Sequence, residues 1–343
     1  MIVQLKRFVL PFCKVGKVGK VCAQFVRHDS SQASSKVLEH LNSRSLLRIR
    51  GRDASNFLQG LITNDMKHIE EGAANLYALF LNIKGRVMYD VIIYKSHEDD
   101  VFYIECDSKA VDPLQKHLKM YRVRRKIDID NIENNINVWA LFDTSQYLNK
   151  NDADNNIMMY EDPRLADLGI RILAESNIER SDIKKHLNFN ALMSNNPLSY
   201  KAFRYTLGIS EGVDDLPPGK PLPLEVNCDY LHGVSFHKGC YIGQELTART
   251  YHTGVVRKRI MPLLFEELST KSFSYDEKII DESGNVVGKF RGNEKEHGLG
   301  LMRITEALNA KSLTMLDMKL KISKPIWWPQ EIQKESASAN KKS

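Results

Sequence analysis

Lys238-Gly239-Cys240-Tyr241-Ile242-Gly243-Gln244-Glu245 sets one cysteine between two glycines, ahead of a segment, 243–250, with the character of a helix start. Glycine tolerates positive φ and lets a backbone approach a ligand closely, so the stretch reads as a presenting loop. A thiol just before a helix N-terminus feels the positive end of the peptide dipoles. Lys238, with His237 before it, adds cationic character, and both effects predict a lowered pKa for Cys240. A thiolate is a nucleophile and a metal ligand. Local physics leaves both roles open, beside that of a plain structural cysteine.

The other cysteines sharpen that reading. Cys13 and Cys22 lie near the N-terminus, while Cys106 and Cys228 sit in apolar contexts that predict burial. Three cysteines beyond the leader, with no Cys-x-x-Cys pair, argue against a disulfide framework and a self-contained zinc site.

The formal net charge of +6 looks at first like a nucleic-acid signal. Six cations, Lys6, Arg7, Lys14, Lys17, Lys20 and Arg27, precede the first acid, Asp29, and without residues 1–28 the chain carries 43 basic and 43 acidic residues. The balance predicts no nucleic-acid partner. A basic, acid-free leader with a Ser-rich exit at Ser30, Ser31, Ser34 and Ser35 reads as a mitochondrial transit peptide over 1–35, and hence the matrix. Pro11 and the repeated lysines interrupt the apolar block that a secretory signal needs; a disordered basic tail is the plainer alternative. No run reaches the roughly 20 apolar residues of a membrane span, so no membrane association is expected.

Working outward from the thiol, strand and helix signals alternate. Strands are predicted at 45–50, 77–81, 87–94, 101–106, 138–142 and 168–173, with a turn at Lys84-Gly85. Asp53 reads as the N-cap of a helix whose Phe57, Leu58, Leu61 and Ile62 share a face, and 109–121 as a helix burying Val111, Leu114, Leu118 and Tyr121. Helix-crossed antiparallel sheets of the split βαβ type fit this order, an α+β class. The Asn- and Asp-rich 145–162 reads as a surface loop, and a helix over 198–209 runs into Asp214-Asp215-Leu216-Pro217-Pro218-Gly219, which stops it. From 255 to 330, alternating segments at 256–265, 285–290, 298–303 and 313–323 predict a small β-barrel, with Trp327-Trp328 packing its closing segment. The tail, 331–343, is expected to be disordered. The clusters Arg122-Arg124-Arg125-Lys126 and Arg257-Lys258-Arg259 are read in β context as solvated or ion-paired surface, with a folate's glutamyl tail or an acidic partner patch as the alternative.

The eight-residue string resembles the Lys-Gly-Cys-Tyr-x-Gly-Gln-Glu signature of the folate-binding, aminomethyltransferase-like (glycine cleavage T-protein) family, whose mitochondrial members assist iron-sulfur cluster assembly. Phe57-Leu58-Gln59-Gly60-Leu61-Ile62-Thr63-Asn64-Asp65, Tyr121 to Lys126, Asp162-Pro163-Arg164 and Pro223-Leu224-Glu225-Val226-Asn227 are similar to the mitochondrial branch, and the resemblance spans about 44 to 328. It implies two interleaved split-βαβ (ferredoxin-like) lobes over 36–254 and the C-terminal barrel, arranged as a cloverleaf around a central cavity. It also implies A-type carrier proteins as partners, and [4Fe-4S] client enzymes such as lipoate synthase and aconitase. A [2Fe-2S] cluster needs four ligands and this chain offers one convincing thiolate, Cys240, so the cluster is expected to be shared with the partner. Lys238 would favour the thiolate, Gly239 and Gly243 would keep the loop open beside Tyr241, and Gln244 and Glu245 would fix it by hydrogen bonds.

The founding enzymes of the family transfer an aminomethyl carbon to tetrahydrofolate and use a carboxylate pair at a strand end. Here that stretch reads Gly85-Arg86-Val87-Met88-Tyr89-Asp90, with Tyr89 in place of one acid. Absence of independent enzymatic turnover is therefore expected, with a folate-dependent transferase or a non-catalytic folate-binding scaffold as alternatives. By resemblance Asp90 is a folate contact, or else a solvated face residue; Glu225 meets the pterin, or else is a loop carboxylate; Asn64 and Asp65 line the cavity, or else cap and turn the chain.

Overall fold

A computed structural model describes residues 36–142, 156–187, 198–268 and 272–329. The expected transit peptide, the tail at 331–343 and the 145–155 part of the predicted loop lie outside the described residues.

The described chain enters on β1 (Val37–His40) and turns into β2 (Arg44–Arg50), followed by α1 (Ala54–Gln59) and α2 (Lys67–Glu70). Next come β3 (Asn75–Leu81), β4 (Val87–Lys95), β5 (Val101–Asp107), α3 (Val111–Arg122) and β6 (Asp128–Asn131). Strands β2 to β6 form an antiparallel sheet in the order β3-β4-β5-β2-β6. Because β5 pairs antiparallel with both β4 and β2, those two run the same way with β5 between them, the split βαβ arrangement. Three later strands, β7 (Ile136–Phe142), β8 (Ile157–Glu161) and β9 (Ile170–Glu175), return to β1 in a second sheet ordered β1-β7-β9-β8. The first strand thus waits for partners that follow the whole first sheet, so the two lobes interleave. After α4 (Arg180–His186), α5 (Tyr200–Thr206), α6 (Gly212–Asp215) and α7 (Gln244–Thr253) the chain enters the barrel. Its elements are β10 (Lys258–Phe265), β11 (Lys278–Asp281), β12 (Val286–Glu294), β13 (His297–Arg303), α8 (Ile304–Asn309), β14 (Leu313–Met315) and β15 (Met318–Ile322), closed in the order β10-β13-β12-β11-β14-β15.

Strands β3 and β4 are apolar on both faces because both faces are covered. One side, with Val91 and Ile93, packs on Phe57, Leu58, Leu114 and Leu118 of α1 and α3. The other, with Leu79, Ile92 and Tyr94, meets Val138, Phe142 and Leu173 of the second sheet and reaches Ile260 and Leu299 of the barrel. Between the sheets lies a lattice of buried charges. Arg44 bonds Asp90 at 3.2 Å and Glu105 at 2.7 Å; Arg171 approaches Glu105 at 3.7 Å, Asp162 at 3.4 Å and Glu211 at 2.5 Å. Arg164 joins Asp162 at 2.7 Å and Glu211 at 2.8 Å, and Arg204 joins Glu211 at 3.5 Å and Asp215 at 3.2 Å. Burial alone would raise the Glu211 carboxyl, but Arg171, Arg164 and Arg204 overcome it and hold it well below the usual glutamate range. Burial opposes Asp162 likewise, and Arg164 wins. Charges taken from water this completely stay ionised only when each meets an opposite charge.

Several expectations need correction. Asp53 stands at the N-cap of α1, but its side chain caps nothing and accepts from the Lys126 amide. The loop read over 145–162 contains β8, whose Ile157, Met158 and Tyr160 are buried. The strand read from 168 begins at Ile170, since Leu168 closes a 3-10 turn and Gly169 has φ +81°. The 122–126 cluster is no strand: Arg122 ends α3 and Val123 turns the chain at φ +49°. Arg259 is buried, forked onto Asp229 at 2.8 Å and stacked over Tyr230, so it is a core anchor and not a surface cation. Trp328 enters the barrel core as expected, and Trp327 donates to the Leu207 carbonyl at 2.8 Å.

The Cys240 loop as the candidate functional site

Helix α7 begins as the signature string predicts, with Gly243 at its N-cap in the left-handed region, φ +78°. A side chain there is excluded twice. An added Cβ would lie 2.9 Å from Leu81 Cβ and 3.2 Å from Gly85 Cα, and closer still to the Asn82 carbonyl oxygen. Gly85, φ +73°, returns the contact: its own Cβ would meet the Gly243 carbonyl and Leu246 at 3.0 Å. The β3–β4 hairpin tip and the start of α7 are therefore packed backbone to backbone. Gly239 is different, because a Cβ there meets nothing within 4 Å.

The loop before α7 is sewn to the end of α1. Thr63 Oγ1 donates to the Gly233 carbonyl at 2.6 Å, the Ser235 amide to the Thr63 carbonyl at 3.1 Å, and the Ile242 amide to the Gly60 carbonyl at 3.2 Å. Asn64 Nδ2 donates to the carbonyls of His232 and Tyr77, both at 2.8 Å, and its Oδ1 accepts from the Asp65 amide. Lys238 completes the seam. Its Nζ donates to the carbonyls of Gln59 at 2.7 Å, Ile62 at 2.8 Å and Asn64 at 2.5 Å, and lies over the Tyr241 ring. An ammonium has three N–H donors and all three are spent there. Lys238 thus clamps the loop. Burial draws its pKa down to about 8 against the pull of Asp65.

Gln244 Oε1 accepts from the Tyr241 amide at 3.1 Å, closing the turn, while Glu245 is exposed in the first turn of α7. Tyr241 packs against the central core, and burial pushes its hydroxyl pKa up. Cys240 is exposed. Cys106 and Cys228 are buried as expected, and burial pushes both thiols up.

The residues linked to folate are dispersed. Asp90 is not the solvated alternative: it is buried, with one oxygen on Arg44 and the other accepting from the Gly212 amide at 3.0 Å. Tyr89 packs on the opposite side of β4, edge-on to His117 of α3. Asn64 belongs to the Cys240 seam. Glu225 is half-buried and lines a mostly apolar cavity of about 190 Å³ with Leu222, Pro223, Leu246, Thr247 and Val256. Burial raises its carboxyl, opposed by Lys258, Arg291 and Arg86. The Thr247 hydroxyl is buried without a hydrogen-bond partner. A raised carboxyl and an orphaned hydroxyl in an apolar slot fit a flat heteroaromatic ring, although the cavity is smaller than the roughly 300 Å³ at which sites for whole drug-sized ligands begin. Thr247 was not singled out from the sequence; its orphaned state depends on the fold and has no local signal.

Residues 34–142 match the GCVT N-terminal domain, and 257–330 the CAF17 C-terminal beta-barrel domain. The human mitochondrial iron-sulfur cluster assembly factor IBA57 is 39% identical over 312 residues, covering 84% of each chain. The chain belongs to the IBA57 family. A Dictyostelium discoideum member, also titled a mitochondrial iron-sulfur cluster assembly factor, is 34% identical over 284 residues, 74% of this chain and 68% of its own. The family is mitochondrial, and its members are titled iron-sulfur cluster assembly factors. The crystal structure of the glycine cleavage system aminomethyltransferase T from Bartonella henselae has a TM-score of 0.67 over 86% of both chains at 12% identity, a likeness of fold alone.

Proposed function

We propose that this protein is an accessory factor in the mitochondrial matrix that supports [4Fe-4S] maturation with an A-type carrier, Cys240 giving one ligand to a [2Fe-2S] cluster held between them. The cluster is cargo, and client [4Fe-4S] enzymes receive it indirectly. One observation carries the reading: Cys240 is the exposed free thiol among the described cysteines, on a loop clamped at both ends. Among the described residues no group of three or more His, Cys, Asp or Glu side chains could hold a metal ion. A binuclear cluster on Cys240 therefore needs its other ligands from a partner. Anaerobic titration of the chain with cluster-loaded carrier tests this. A complex carrying one binuclear cluster, with an altered visible spectrum, is expected; the ligand role fails if Cys240→Ala changes neither spectrum nor stoichiometry.

The cavity at Glu225 and Thr247 favours a second reading, tetrahydrofolate bound by its pterin ring. Glu225→Ala should then weaken tetrahydrofolate binding at least tenfold while Cys240→Ala leaves it intact. Equal binding by all three proteins would dismiss it.

A further inference from the structure

The end of α3 exposes apolar groups that the rest of the helix hides. Val111, Leu114 and Leu118 are buried against the first sheet, whereas Met120 is 65% exposed and Val123, where the chain leaves the helix, is 79% exposed. Val123 carries a second cost. Its backbone sits at φ +49° and ψ −111°, and a β-branched residue at positive φ is an outlier. The neighbours impose the turn: the Arg125 amide donates to the Arg122 carbonyl at 3.0 Å, the Arg122 guanidinium to the Ile127 carbonyl at 3.4 Å, and the Lys126 amide to Asp53 at 3.2 Å. A glycine would take this turn without strain and would put nothing apolar into water. A valine that is both strained and exposed points to a use outside the chain.

The charge around it says what kind of use. From Pro113 to Ile127 the chain carries six cations, Lys116, Lys119, Arg122, Arg124, Arg125 and Lys126, and no acid. Among the described residues none of the six is ion-paired, although nearby Arg48 is, to Asp130 at 2.8 Å. At the border of this segment the signs mix. Arg50 and Arg52 are exposed there, Asp128 stands across from Arg50 in the β2–β6 register, and Asp53, Asp99 and Asp100 lie beside Gly51 and the turn before β5. The positive core is therefore the end of α3 itself, with Val123 and Met120 inside it.

We infer that this tip is an interfacial anchor for a bilayer containing anionic phospholipid, with Val123 and Met120 entering the headgroup layer and the cations of 116–126 meeting its phosphates. A bilayer is anionic at its surface and apolar beneath, the order in which cations on long stems and a short apolar apex would meet it. A nucleic acid would use the cations but leave Val123 and Met120 in water. No described helix is long and apolar enough to cross a membrane, and resting on one needs no such span. The anchor does not depend on the proposed function. It joins the start of α1 through Asp53 and Lys126, while the Cys240 loop joins the end of α1 through Gly60 and Ile242.

Vesicle flotation tests the anchor, using the chain from residue 36 onward, which keeps every described element and leaves out the basic leader. The chain should bind phosphatidylcholine vesicles carrying about one-third phosphatidylglycerol, pass over pure phosphatidylcholine, and be released by salt. Lys119→Gln and Arg124→Gln should each weaken binding about fivefold. Val123→Gly should weaken it at least about threefold while holding or raising the unfolding midpoint, a combination that a merely structural role would not give. Absence of binding to the anionic vesicles, binding indifferent to lipid charge, or wild-type binding in all three variants would overturn the anchor. A chain that ignores the vesicles but binds polyglutamate or an oligonucleotide through Arg124 would overturn it too, and give the surface to another polyanion.

Discussion

The two glycines of the signature string should respond oppositely to alanine. At Gly243 the methyl enters at φ +78°, where an L-residue costs roughly 1–2 kcal/mol. It also meets Leu81 and the backbone of Asn82 and Gly85, none of them the far end of a flexible side chain, so the hairpin tip or α7 must shift. Overpacking of this kind costs about 1–3 kcal/mol. Together the expected loss is about 3 kcal/mol. At Gly239 the backbone lies outside the left-handed region and the methyl finds open space, so the remaining effect is reduced freedom of the unfolded chain, a gain of up to about 1 kcal/mol. Urea unfolding followed by fluorescence of Trp139, Trp327 and Trp328, which report one sheet and the barrel, reads both. With a slope of about 3 kcal/mol per molar, Gly243→Ala should lower the midpoint by about 1 M and Gly239→Ala should hold or raise it. A Gly243→Ala protein within about 0.5 kcal/mol of wild type, or a Gly239→Ala protein equally damaged, would refute the steric account.

Two further outcomes follow from the clamp and the lattice. Lys238→Met removes three charge-assisted bonds and strands three carbonyls, so it should cost about 2–3 kcal/mol and speed alkylation or proteolysis of the 237–242 segment, with Lys238→Arg an incomplete rescue, since a planar fork cannot reproduce three converging donors. Glu211→Gln should cost about 3–5 kcal/mol at neutral pH by leaving Arg164, Arg171 and Arg204 short of a charge. The folded-state pKa values of Glu211 and Asp162 lie below their unfolded ones. Their stabilisation is therefore present above about pH 4.5 and is lost as pH falls through the folded values, so Glu211→Gln should flatten the acid limb of the stability profile. An unchanged acid limb would contradict that assignment.

The elements legible in the sequence are those whose burial is repetitive. β3 and β4, covered on both faces, show as apolar runs around the Lys84-Gly85 turn, and the barrel shows in its short alternating segments. β8 was hidden because the Asn- and Asp-rich run before it carries no apolar signal of its own, and β11 has only four residues. α8 has no side-chain cap to announce it. The lattice was invisible for a different reason. Arg44 and Glu105 are 61 positions apart, and nothing in either segment says that the charge is buried. At the site, Cys240 was legible from its string, but the clamp made by Lys238 was not, because its acceptors lie 174 to 179 positions away.

That clamp bears on how a lone cysteine would serve the proposed shared cluster. An ammonium held under the loop fixes where the thiol stands. A ligand to a shared cluster needs that service, because the partner's cysteines can complete the coordination only if the fourth position is already in place, and ordering a loop at the moment of docking would weaken the complex. Segments 59–64 and 82–85, far apart in the chain, supply that order through the seam and the paired glycines. On the proposed function, giving only one ligand would also suit a factor that must release its cargo, since a single iron–sulfur bond on this side would leave the rest of the cluster with the carrier. The rigid support and the single thiol would then be two parts of one design, holding position firmly and the cluster loosely.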